Sequence, residues 1–126
     1  MKTKTINRLS WLLAGLLAIA FMGAGMSKLA GVQMHIDHFR QWGYPDAMRY
    51  VVGILEMGLA IGLLWPKFRL IAVYELFFWA TGAVLTHVQA GQSNQVGAPM
   101  LFAALGLILL WIERKRFRQN KLSVSR

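Results

Sequence analysis

The chain has 126 residues, of which 56% are hydrophobic and only 15% charged, with a mean hydropathy of +0.45. A soluble domain normally carries about a quarter charged residues, so a water-soluble globule is excluded and an integral membrane protein indicated. The absence of cysteine excludes disulfides, thiol nucleophiles and redox work through a Cys-x-x-Cys motif within this chain.

Four apolar runs follow in order, at about residues 9–30, 47–65, 70–90 and 96–112. Each approaches the roughly 20 residues that a helix needs to cross about 30 Å of hydrocarbon. Little chain is left for a soluble domain, so the expected fold is all-α. It is a single integral membrane four-helix bundle over residues 1–126, with a basic tail at 113–126.

The first run carries Ala14, Gly15, Ala18, Gly23 and Gly25, small residues of the kind that let membrane helices approach closely. Residues 1–26 share a basic start and an apolar core with signal peptides, but the apolar stretch is long for one, and a retained first span is expected. Lys28 falls in the last turn of this run. A lysine there can snorkel to the head groups. Helical side chains lean toward the helix N-terminus, however, so Lys28 also leans back into the membrane.

Residues 31–46 form the one polar connector of any length. Val32, Ile36, Phe39 and Trp42 recur at helical spacing, with His35, Asp37, His38 and Arg40 on the other side. This pattern predicts a short amphipathic helix in the interface, between spans one and two, that could act as a lid. Gly43 can end it, and Pro45 suits the first turn of the next helix. His35 and His38 could ligate a metal or simply belong to a solvated polar face; the latter is preferred, and no metal is assigned.

The second run is apolar except for Glu56, which would lie roughly 13 Å below the membrane surface. A carboxylate at that depth costs several kcal/mol unless protonated or paired, and such residues tend to be functional. In antiparallel neighbours Glu56 leans toward Lys28, and the two side chains could close a backbone offset of about 8 Å. An ion pair or water-bridged contact is one arrangement. A snorkelling lysine with a protonated or otherwise paired Glu56 is the other. Gly58-x-x-x-Gly62 is expected to serve packing within the bundle rather than dimerisation.

In the third run, Glu75 is expected to pair with Arg69, Lys67 or the C-terminal basic cluster. Thr86-His87 closes the run, and His87 leans toward the layer of Lys28 and Glu56. No second histidine lies inside a span, which disfavours haem. The fourth run has no ionisable group before Glu113, a small face at Ala103, Ala104 and Gly106, and Pro99 in its first turn.

Charge then orients the chain. Eleven of the 14 Lys and Arg flank the termini or the connector between runs two and three, all on one side if every run spans. The positive-inside rule places both termini in the cytoplasm of a bacterial inner-membrane protein. The net charge of +9 is thereby assigned to a membrane surface, and nucleic acid is not an expected partner.

Lys28, Glu56 and His87, from three spans, are the candidate ligand-binding or proton-relay residues, with Thr86, His35 and His38 secondary. Such a trio can hold a polar ligand, relay a proton or lock helices together. The order Gly25-x-x-Lys28-Leu29, Gly43-x-Pro45, Gly53-x-x-Glu56, Gly82-Ala83 with Thr86-His87, and Ala98-Pro99 resembles the DoxX-like family of small four-span membrane proteins, over about residues 10–113. The resemblance implies a four-helix membrane bundle in which the Lys, Glu and His are marked polar positions. In some members it implies a link to quinone-coupled oxidation and soluble redox partner proteins. Three functions are expected to compete: a membrane subunit of a quinone-linked redox system, with quinone as ligand; a non-catalytic scaffold or assembly factor for a partner protein; and a small proton-coupled transporter.

Overall fold

The computed structural model describes residues 2–126. It is all-α, with four long apolar helices and one short one: α1 (Thr3–Leu29), α2 (Gln33–Gln41), α3 (Asp46–Leu64), α4 (Arg69–Gln89) and α5 (Gly97–Val124). A single 3-10 turn, Ser93–Gln95, leads into α5. The long helices are uninterrupted because their apolar runs contain no internal proline; Pro45 and Pro99 sit at helix starts, where the missing N–H costs nothing. Gly43, at φ 79°, follows α2 and lets the chain reverse into α3.

The long helices close a ring in which α1 packs on α3 and α5, and α4 packs on α3 and α5. Ala14, Leu17, Ala18 and Phe21 of α1 meet Leu59, Ala60 and Leu63 of α3, Ala72, Val73 and Leu76 of α4, and Leu109 of α5 in one core. The outer surface is as apolar as the core: Ile19 is 74% exposed and Phe78 76%. In water such a surface would be an association liability, whereas in lipid it is the ordinary outside of a bundle. These helices are long and apolar enough to span a bilayer.

The most extensive contact, α1 on α3, is made possible by Gly25 and Gly53. A Cβ on Gly25 would lie 2.8 Å from the Gly53 carbonyl oxygen, and one on Gly53 would lie 3.2 Å from that of Gly25. The expected role of Gly58-x-x-x-Gly62 is met only in part. Gly62 faces the Cβ of Ala72 in α4, but nothing stands within 4 Å of a Cβ placed on Gly58.

Both ends of the sequence extend the helices further than the apolar runs do. α1 begins at Thr3, and α5 continues to Val124 through the basic stretch. At 1.5 Å per residue these helices are about 40 Å long, beyond the hydrocarbon thickness. Their ends support one another: the Thr3 hydroxyl donates to Gln119 Oε1 at 3.1 Å.

Candidate functional site

The Gly25–Gly53 crossing positions the buried ion pair. Lys28 and Glu56 each lie three residues beyond their glycine, one turn past the contact in opposite directions, and each side chain leans back toward it. Lys28 Nζ donates to Glu56 Oε2 at 3.0 Å. Glu56 is 1% exposed, and its other oxygen accepts from Trp79 Nε1 of α4 at 2.9 Å. Both carboxylate oxygens thus have a donor, as a buried charge requires. Of the two arrangements open in the sequence, the structure takes the direct ion pair. Arg49, also buried, holds the end of α1 in place by donating to the Lys28 carbonyl oxygen while pairing with Asp46 at 3.2 Å.

This pair lies at the floor of a cavity of about 670 Å³. Val51, Val52, Leu55 and Leu59 of α3 form one wall, and Phe78, Trp79, Gly82, Ala83 and Thr86 of α4 the other. His35, His38, Phe39 and Trp42 of α2 cover it, and Ala98 and Pro99 of α5 line the back. Helices α3 and α4 touch near their connecting turn, at Gly62 and Ala72, and leave this space between them further along. Because Phe78, Leu85, Val51 and Leu55 both line the cavity and lie exposed on the lipid-facing surface, the cavity opens sideways.

His87 lines the same cavity but does not bond to Lys28 or Glu56. Its Nδ1 lies 3.1 Å from Gln92 Oε1, which also accepts from Trp42 Nε1 at 3.0 Å, and its ring meets that of Trp42 edge-on at 5.4 Å. Thr86 shares a hydrogen bond of 2.7 Å with Tyr44, which ties α4 to the turn before α3. The histidines of α2 depart from the expected solvated face. His35 Nε2 lies 2.8 Å from Ser27 Oγ, and His38 stacks on Trp42 at 5.6 Å, so both turn toward the cavity while Asp37 and Arg40 face outward. The cause is Phe39, which is buried and rotates the helix so that its neighbours at i−4 and i−1 share the covered side. Burial is the main cause that holds His35 below the ordinary histidine range, with the charges of Lys28, His38 and Arg49 adding to it. The ring is therefore neutral near pH 7.

A second polar cluster, at the end of the bundle that carries the termini, has no counterpart in the sequence reading. Arg69, fully buried, donates from Nε to the Leu63 carbonyl at 2.7 Å and from Nη1 to Ser10 Oγ at 2.7 Å, and lies 3.6 Å from Glu113 Oε1. Ser10 in turn donates to Glu113, whose second oxygen pairs with Arg116 at 2.6 Å. All four long helices meet here: Ser10 of α1, the Leu63 carbonyl of α3, Arg69 of α4 and Glu113 of α5. The available signal was that Ser10 at the start of the first apolar run, Arg69 just before the third and Glu113 just after the fourth fall at one membrane boundary. This overturns the expected partnership of Glu75 with Arg69. Six residues apart on one helix, they point about 120° apart, and Arg69 faces the core. Glu75 lies between the cavity and a smaller groove of about 260 Å³ by the α3–α4 turn, and forms no ion pair among the described residues.

Chemically, the cavity offers an apolar, aromatic-walled space with a charged pair at its floor, two imidazoles in its cover and a third on α4. Its size is that of a small-molecule site, apolar with a few placed polar groups. Among known proteins, YdgD of Bacillus subtilis (strain 168), described as uncharacterized, is 27% identical over 86 residues, covering 65% of this chain and 75% of that protein. No solved structure matches the chain. The DoxX-like family model matches residues 12–109, from the second turn of the first apolar run to the last turns of the fourth. That match takes in α3 and α4 whole, parts of α1 and α5, the Gly25–Gly53 crossing and the Lys28–Glu56 pair, and the chain belongs to the DoxX-like family.

Proposed function

We propose that this protein is the membrane subunit of a quinone-linked redox system, and that the cavity between α3 and α4 receives the quinone ring from the lipid. The observation that carries this reading is the sideways opening of a cavity whose floor is a buried ion pair. An apolar tail would remain among the exposed side chains of Leu55, Phe78 and Leu85, while the ring enters beside Trp79. Lys28, Glu56 and His87 are the groups for holding the head group and exchanging its proton. Nothing among these side chains carries electrons, so a flavin- or metal-bearing partner protein supplies them. On this reading the end with the termini, rich in Lys and Arg as the positive-inside rule favours for the cytoplasmic side, faces the cytoplasm, and the cavity lies in the outer half of a bacterial inner membrane.

The test is mass spectrometry of the lipids and quinones that co-purify with wild type and with Glu56→Gln. Quinone retained by wild type and lost from the variant is the expected result. Quinone absent from both removes the reading. A scaffolding role has one observation of its own: α5 continues as a basic helix past the core, exposing Phe117, Leu122 and Val124. On that reading a partner protein co-purifies with both forms, and Glu56→Gln lowers accumulation and little else.

A further inference from the structure

The hydrogen-bond network assigns a tautomer to each of two imidazoles, and those tautomers say what the cavity can receive. Indole nitrogen only donates. The Gln92 atom that meets Trp42 Nε1 at 3.0 Å is therefore the amide oxygen, and His87 Nδ1, 3.1 Å from the same oxygen, must carry a hydrogen. With the hydrogen on Nδ1, Nε2 is the ring nitrogen that is left to accept. The same reasoning applies to His35. The Ser27 hydroxyl has one hydrogen, which it donates to the Ala24 carbonyl at 2.9 Å. Its oxygen can only accept from His35 Nε2 at 2.8 Å, so that nitrogen carries the hydrogen and Nδ1 is bare. The depressed basicity of His35 keeps the ring in this neutral form.

Neither bare nitrogen has a partner among the described residues, and neither is a buried atom. Both rings line the cavity. The cavity lining therefore presents two hydrogen-bond acceptors, one on α2 and one on α4, whose own donors are committed to the protein. A ligand carbonyl facing either nitrogen would oppose acceptor to acceptor and leave both without water, which costs about a tenfold loss of affinity or more for each such contact. A ligand hydroxyl donates to the nitrogen. Its oxygen can still accept, from the N–H groups of Lys28 not used by Glu56 or from Tyr44. We infer that the cavity takes its ring in a hydroxyl-bearing form, a dihydroxy aromatic head group in preference to the matching dicarbonyl. This rests on the reading of the cavity as a site for a lipid-soluble ring.

The test uses the full chain in nanodiscs, without oxygen, titrated calorimetrically with three probes of one skeleton: a decyl-substituted 1,4-hydroquinone, the corresponding 1,4-benzoquinone and the 1,4-dimethoxy ether. The hydroquinone is expected to bind about tenfold tighter or more than either of the others. His87→Phe or His35→Phe should each remove about tenfold of that affinity while leaving the quinone's no weaker, because the opposing acceptor is gone. Equal binding of all three probes leaves the ring site standing and overturns the preference, as does tighter binding of the quinone. If none of the three binds, the ring site itself is overturned, and the preference with it.

Discussion

The buried charges Glu56 and Arg69 are given partners by different routes. Glu56 depends on one cation and one indole, so removing either member of the pair leaves the other buried and uncompensated. Lys28→Met or Glu56→Leu should each destabilise the fold by about 3–5 kcal/mol, whereas the double variant should lose clearly less than the sum. Thermal unfolding in detergent of the four forms of this cycle checks it; additive losses would mean that the pair is not coupled. His35 gives a second prediction with a definite sign. Its folded form titrates below the ordinary value of 6.5, so the unfolded chain takes up a proton first as pH falls. The stability that His35 contributes is fully present above pH 6.5 and is lost as pH falls through that value toward the lowered one. The unfolding midpoint of wild type should therefore drop more between pH 7 and pH 5 than that of His35→Gln.

At the scale of elements, two contacts fix how the helices sit. The α1–α3 crossing depends on two glycines, and the atom nearest a Cβ on Gly25 is the backbone carbonyl oxygen of Gly53, which cannot move aside as a flexible side chain can. Gly25→Ala should cost about 1–3 kcal/mol and weaken the Lys28–Glu56 pair, while Gly58→Ala, at an open position, should be neutral or slightly stabilising. Equal effects of the two substitutions on the unfolding midpoint would contradict the assignment of the crossing. At the opposite end, Glu113 balances the fully buried Arg69. Glu113→Gln should destabilise by about 3–5 kcal/mol, more than the exposed Asp37→Asn, which should stay within about 0.5 kcal/mol. The crossing positions the site, and the Arg69 cluster holds the far end closed, so α3 and α4 can part only around the cavity.

For the molecule as a whole, the uneven charge and the sideways cavity together define a direction. Because the chain has no cysteine, single substitutions report sidedness cleanly. In intact cells Ser93→Cys should react with a membrane-impermeant maleimide, and Ser123→Cys should react only after permeabilisation. The reverse pattern would invert the proposed topology. The two ends also differ in kind. One is a closed polar knot of Ser10, Arg69, Glu113 and Arg116 beneath a basic surface, and the other is a space covered by a nine-residue helix. A ligand therefore has a way in between α3 and α4.

Periodicity, hydropathy and charge are local properties of the chain, and by themselves they determined four spans, a short helix between the first two, and a carboxylate that needed a partner. The direction in which helical side chains lean was enough to bring Lys28 and Glu56 within reach, because lean follows from backbone geometry alone. Rotation of each helix about its axis was not determined, since it depends on which faces pack. Only the tertiary structure therefore decided that Arg69 turns inward to Glu113 and leaves Glu75 without an ion pair. The same rotation carried His35 and His38 from an expected solvated face to the cover of the cavity, through the burial of Phe39. Helix splay was equally out of reach, because it arises where Gly62 meets Ala72 and then from the side chains on either side. The cavity is that splay, and no stretch of sequence contains it.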